Sequence, residues 1–232
     1  MFSVDTNIVL GIVNTNDRLH NWSVSLLKDE IKKNKLIKFT TVINESKVTF
    51  LRKYNKAFIK LFRLFQEIDK QTDDQIERMV LFGSKFNDLR EEDKNFMPLV
   101  YKLITPFVTK WDIKGAFKFL SQYGLIHSGR IEEILDKEAE YNVKSFDLKL
   151  EKEVLREIAG ITNIISRNVK FKDEPDENIF IEVVLYSIHE KEPLKFYSND
   201  KEFMKTSGIA FSKISEDSTY SNTKINFIHL QT

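Results

Sequence analysis

The chain has 232 residues, with 36 Lys and Arg against 35 Asp and Glu, and it holds 19 Phe but only 7 Gly and 4 Pro. Hydrophobic residues make up 41% and charged residues 31%, a globular composition that excludes a disordered or collagen-like chain. There is no Cys, which excludes a disulfide scaffold, a thiol nucleophile and a thiolate metal site.

No apolar run approaches the ~18 residues of a membrane span. Met1-Phe2-Ser3-Val4-Asp5 lacks the basic region of a secretory signal and meets an acid at once. A soluble cytoplasmic protein with no membrane partner is expected. The net charge of +1 hides opposed segments. Lys28 to Arg63 holds eleven bases and three acids, a net +8, while Gln66 to Asn95 holds nine acids and five bases, a net −4. Glu132 to Glu157 repeats the −4. Such patches matter to a polyanionic partner.

In chain order, residues 1–4 read as a short strand, and Ile8 to Val13 continue inward as a helix or strand. Asp17 to Asn34 is an amphipathic helix, with Lys in its last turn. Leu36 to Thr41 is a second strand. A long helix starts near Asn44, with Val48, Leu51, Tyr54, Phe58, Leu61 and Phe65 at three- and four-residue spacing on one face. Arg52, Lys56, Lys60 and Arg63 repeat on another face.

From Gln66 to Thr162 the spacing predicts helices only: Ile76–Phe86, Phe96–Trp111, Ile113–Tyr123, Ile131–Tyr141 and Phe146–Ile161, the last capped by Ser145. Ile164 to Phe171 reads as a third strand. Glu174-Pro175-Asp176-Glu177 opens an apolar helix reaching His189, with Pro in the first turn. Leu194 to Tyr197 and Ile225 to Leu230 are the last strands. The alternation predicts an α/β fold, a parallel sheet covered on both faces with a helical elaboration in the middle.

In such sheets functional groups gather at the carboxyl ends of the strands. There stand Asp5 after the first strand, Glu45 past the second, Asp176 in the turn leading out of the third and Asp200 after the fourth. Any one of these acids could serve only as a helix cap. Together they would each raise the pKa of the next unless a cation neutralised them. Oxygen ligands without Cys or clustered His suit a hard ion, Mg²⁺ or Mn²⁺. One such ion, or two about 3.5–4 Å apart, can activate water and stabilise the leaving oxygen of a phosphodiester.

Four segments, Val4-Asp5-Thr6-Asn7, Glu45 opening its helix, Glu174-Pro175-Asp176-Glu177-Asn178, and Ser198-Asn199-Asp200-Lys201-Glu202-Phe203, together resemble the PIN-domain nucleases. The resemblance implies a three-layer α/β/α sandwich with a central five-stranded parallel sheet, a metal-dependent ribonuclease and products ending in 5′-phosphate and 3′-hydroxyl. It would form the nuclease domain from residues 1–65 and 163–232, with 66–162 as a helical insertion that typical family members lack. By that resemblance Asp5, Glu45, Asp176 and Asp200 would be catalytic and hold Mg²⁺ or Mn²⁺. Asn7 and Ser198 or Asn199 would orient carboxylates or water. For the third acid, helical spacing leaves Asp176 and Glu177 equal, with Asp173 and Glu174 in the same turn; the family pattern favours Asp176. Glu177 and Glu202 are auxiliary candidates.

Other chemistries find less support. His20, His127, His189 and His229 show no metal-ligand spacing, there is no Gly-rich phosphate loop, and no Ser stands in a nucleophile elbow. A phosphatase of the haloacid-dehalogenase type would want an acid where Asn7 stands. Arg52, Lys56, Lys60 and Arg63 are the candidate RNA-binding residues, positioned to track a phosphate backbone towards the acids. The acidic insertion is suited to restricting access, to binding a protein partner, or to packing against the basic helix. RNA, a protein at the insertion and a second copy in a homodimer are the expected partners. The alternative function is a catalytically inactive RNA- or protein-binding module on the same fold.

Overall fold

The computed structural model describes residues 1–148 and 151–230. Strand β1 (Phe2–Val4) leads into helices α1 (Thr6–Val13) and α2 (His20–Ile31). Strand β2 (Leu36–Phe39) passes without a loop into α3 (Thr40–Asp69). Four helices follow: α4 (Gln75–Glu92), α5 (Phe96–Val108), α6 (Ile113–Gly129) and α7 (Ile131–Glu138). Then come β3 (Val143–Phe146), α8 (Lys152–Asn168), α9 (Glu174–Glu190), β4 (Leu194–Ser198), α10 (Lys201–Glu216) and β5 (Ile225–His229).

The five strands form one parallel sheet in the order β3-β2-β1-β4-β5. The chain moves outward from β1 through β2 to β3, then returns to pair β4 against the other side of β1. The sequence direction therefore reverses between β1 and β4, where Val4 stands opposite Tyr197. Helices α1, α2 and α7 pack together, as do α8, α9 and α10, giving the three layers of an α/β fold. Strands β1, β2 and β4 are almost wholly buried, as expected for a parallel sheet covered on both faces. Helix α9 is buried without a break from Ile179 to Ser187, which matches its lack of a polar face.

Two sequence expectations are corrected. The stretch from Gln66 to Thr162 is not helical throughout, because Val143 to Phe146 forms β3 and pairs along β2. Ser145 is therefore a strand residue and caps no helix. The strand expected over Ile164 to Phe171 is absent; α8 runs on to Asn168, so Asp176 does not follow a third strand. The β-branched pair Ile164-Ile165 gives a local strand signal. Ile158, Ile161 and Ile165 instead recur at helical spacing, with Ile161 and Ile165 in the core. At four residues, β3 is too short to show a period of its own, and it is held by Phe146, whose ring meets Phe39 and Tyr186 edge-on.

The middle helices dock on α3 through aromatic contacts. Phe65 stacks on Phe82 and meets Trp111, Phe58 and Phe62 meet Phe117, and Phe50 lies against Phe96 and His127. Charge joins them as well. Lys38, buried in β2, forms ion pairs with Glu132 at 2.8 Å and Asp136 at 2.7 Å on α7. Lys60 on α3 pairs with Glu92 on α4, and Glu67 on α3 with Lys85 on α4. Of the three roles open to the acidic insertion, packing against the basic helix is one it performs. No helix among the described residues is long and apolar enough to cross a membrane.

Candidate functional site

Strands β1 and β4 end side by side at the reversal point, with Asp5 one residue and Asp200 two residues beyond them. Each starts a helix. Asp5 caps α1 by accepting the Ile8 amide at 2.9 Å, and Asp200 caps α10 by accepting the Glu202 and Phe203 amides at 2.9 Å. Both acids are therefore helix caps. Asp200 uses Oδ1 for the cap.

Four acids from four elements line one cleft of about 140 Å³: Asp5, Glu45 on α3, Asp176 on α9 and Asp200. Asn7 lines it too. Glu177 and Glu202 do not belong to its lining, so Asp176 is the acid that the first turn of α9 presents there. Asp173 caps α9, accepting the Asp176 amide at 3.2 Å. Helical spacing leaves this assignment open, and the packing of α9 against α3 decides it.

Two hydroxyls hold the acids. Ser198, fully buried, donates to Asp5 Oδ2 while accepting the Asp200 amide at 2.9 Å, so one side chain spans both strand ends. Thr6 donates to Glu45. Asn199 does not line the cleft, and its Oδ1 is buried without a partner.

Burial pushes the Asp5 carboxyl up to about 6, against the hydrogen bonds from Ser198 and Ile8; the charges of Asp200 and Glu45 add to the rise. Burial, then Asp173, Asp200 and Glu45, lift Asp176 to about 7. Burial also raises Glu45, with Asp173 adding to it. The acids therefore share one electrostatic field, and a cation in the cleft would relieve it.

Among the described residues, no three His, Asp or Glu side chains form a preassembled metal-ligating group. The donor set nonetheless suits a hard ion. Mg²⁺ commonly keeps several waters and takes one or two carboxylates plus substrate phosphates, so a closed protein cage is not its requirement. The residues present fit such an ion as an open, oxygen-lined site.

Sequence reasoning missed Thr6, Thr49, Lys53, Ile179 and Phe203, which also line the cleft. The signal was helical spacing from the acids themselves. Thr49 and Lys53 stand four and eight residues after Glu45, Ile179 three after Asp176, and Phe203 three after Asp200. Of the four expected RNA-binding residues, only Arg52 lines the cleft. Lys56 is exposed on the same helix, while Lys60 and Arg63 line a separate groove. Three of the four histidines serve local contacts: His20 with the Gly11 carbonyl, His127 with that of Val13, His189 with Glu157.

Comparison with protein-family models, with curated proteins and with solved structures finds no match for this chain.

Proposed function

We propose that this chain is a Mg²⁺- or Mn²⁺-dependent ribonuclease of the PIN type that hydrolyses RNA phosphodiester bonds. The observation that carries the reading is the convergence of Asp5, Glu45, Asp176 and Asp200, from four separate elements, on a cleft whose remaining charged wall is Arg52 and Lys53. Acids facing bases across one cleft suit a substrate that is itself anionic and a cation that joins it to the protein.

The four carboxylates would hold the ion. When bound, such an ion supplies Lewis-acid activation of water and stabilises charge developing at the phosphodiester oxygens. Ser198 fixes the Asp5 carboxylate, and Thr6 fixes that of Glu45. Arg52 and Lys53 offer positive charge to the phosphate oxygens. Ile179 and Phe203 add apolar lining beside the acids.

A second reading, a non-catalytic RNA- or protein-binding module, draws on the absence of a preassembled three-acid group among the described residues. Labelled RNA incubated with purified protein in Mn²⁺, in EDTA, and with Asp5→Asn separates the two. Cleavage that needs Mn²⁺ and is lost in the variant supports the enzyme. RNA bound and left intact under all conditions supports the module.

A further inference from the structure

Seven positions of α3 lie along one stripe: Glu45, Thr49, Arg52, Lys53, Lys56, Lys60 and Arg63, spaced by three or four residues, or by one at the Arg52–Lys53 pair. Read as sequence, the stripe is a continuous basic track leading to the acids. In the fold it is divided. Arg52 and Lys53 line the acidic cleft, Lys56 is exposed beyond them, and none of the three forms an ion pair among the described residues.

Past Lys56 the surroundings change. Helix α4 lies against α3 there, and a groove of about 480 Å³ between them is lined by Lys60, Arg63 and Lys85 together with Glu67, Asp88 and Glu92. Three bases meet three acids. Lys60 is paired with Glu92, and Lys85 with Glu67. Such exposed pairs contribute little to stability, yet they cancel the local field. A polyanion gains from releasing counterions only where it meets uncompensated positive charge.

We propose that the helical insertion acts as an electrostatic stop. Glu92, paired to Lys60, and Asp88, lining the groove with Arg63, offset the distal half of the stripe, so that a single-stranded nucleic acid is held by its phosphates at Arg52, Lys53 and Lys56 alone, a short footprint next to the acids. This rests on the nuclease reading of the cleft and adds the extent of the substrate contact. It also gives the insertion a task that the sheet domain alone would not perform.

The test is the salt dependence of binding, read by fluorescence anisotropy with labelled oligouridylate in the Asp5→Asn background with Mg²⁺, so that bound RNA is not consumed. For single strands, log Kobs falls against log salt with a slope of about −0.7 per phosphate neutralised. Replacing Arg52 and Lys53 by Gln shallows the slope by about 1.4, two contacts' worth. Replacing Lys60 and Arg63 by Gln leaves it unchanged. Asp88→Asn with Glu92→Gln steepens it for a long strand and not for a short one, because the track then extends.

A loss of slope in the Lys60 and Arg63 variant equal to that of the Arg52 and Lys53 variant would overturn the stop while leaving the nuclease reading intact. No measurable RNA binding in the background protein overturns the nuclease reading, and the proposal with it. Single-stranded DNA run in parallel should give the same slope; a slope on RNA alone would overturn the assignment to phosphates.

Discussion

The Glu182 carboxylate, buried in the middle of α9, accepts the backbone amide of Thr41 at 3.0 Å. Its other oxygen accepts the Thr40 amide at 3.1 Å. These amides open α3, whose own N-cap position, Phe39, offers no side-chain acceptor. An acid from one helix thus supplies the cap of another. Because α9 carries Asp176 and α3 carries Glu45, the same contact sets the spacing of two cleft acids. Glu182→Ala leaves two partly buried amides without an acceptor and should destabilise the protein by about 1–3 kcal/mol. Urea denaturation measures this. Glu182→Gln, which keeps one acceptor, should lose less.

The acids predict how stability follows pH. Asp5 rises from an ordinary 3.8 to about 6, and Asp176 from the same value to about 7. The folded state therefore holds protons that the unfolded state has released. Their contribution is fully present below pH 3.8 and lost as pH rises through 6 to 7. For Asp5 alone the loss is about 3 kcal/mol. In EDTA the melting temperature should fall across that window from this source, and Asp5→Asn should flatten the fall. Mn²⁺ should raise the melting temperature more at pH 8 than at pH 5, since protonated acids do not bind it. An equal Mn²⁺ effect at both values would contradict the cation reading of the cleft.

Ser198→Ala removes the hydroxyl that joins Asp5 to the Asp200 amide. The loss of such an orienting partner commonly weakens metal affinity by about 10–100-fold. Mn²⁺ titration followed by electron paramagnetic resonance should show a loss of that size. Thr6→Val should act in the same direction through Glu45.

Lys38 binds the insertion to the sheet. Its side chain is 5% exposed, against 43% and 23% for Glu132 and Asp136. Lys38→Met leaves two carboxylates facing an apolar group, and should cost about 2–4 kcal/mol once the partial exposure of the acids is discounted. Adding Glu132→Gln and Asp136→Asn should recover much of that loss. Thermal denaturation of the single and triple variants checks both.

The sheet was legible in the sequence where its strands were apolar and followed by an acid. Phe2 to Val4, Leu36 to Phe39 and Leu194 to Ser198 carry both marks, with Glu45 six residues past the second, while Ile225 to His229 carries the first alone. β3 was not legible, because Val143-Lys144-Ser145-Phe146 is short, half polar and half-buried at the sheet edge. Ile164-Ile165 misled for the opposite reason, being a strand-like pair inside a helix whose buried positions are four residues apart. Asp5 and Asp200 could be named from their places at strand ends and helix starts, whereas Glu45 stands inside α3 and Asp176 follows no strand and stands out only through the family resemblance. The divided fate of the basic stripe could not, since it depends on α4 folding back along α3, a long-range contact without a local marker. Glu182 was hidden too: an acid in an apolar run gives no hint of which distant amides it will meet.

Asp5 and Asp200 each begin a helix with the same carboxyl group that faces the cleft. An Asn at either position keeps an oxygen for the amides while giving up the negative charge, whereas an Ala gives up both. A lineage abandoning the chemistry while preserving the architecture would therefore drift towards Asn at these two positions and seldom towards Ala, and its idle cleft would be recognisable from sequence by that replacement.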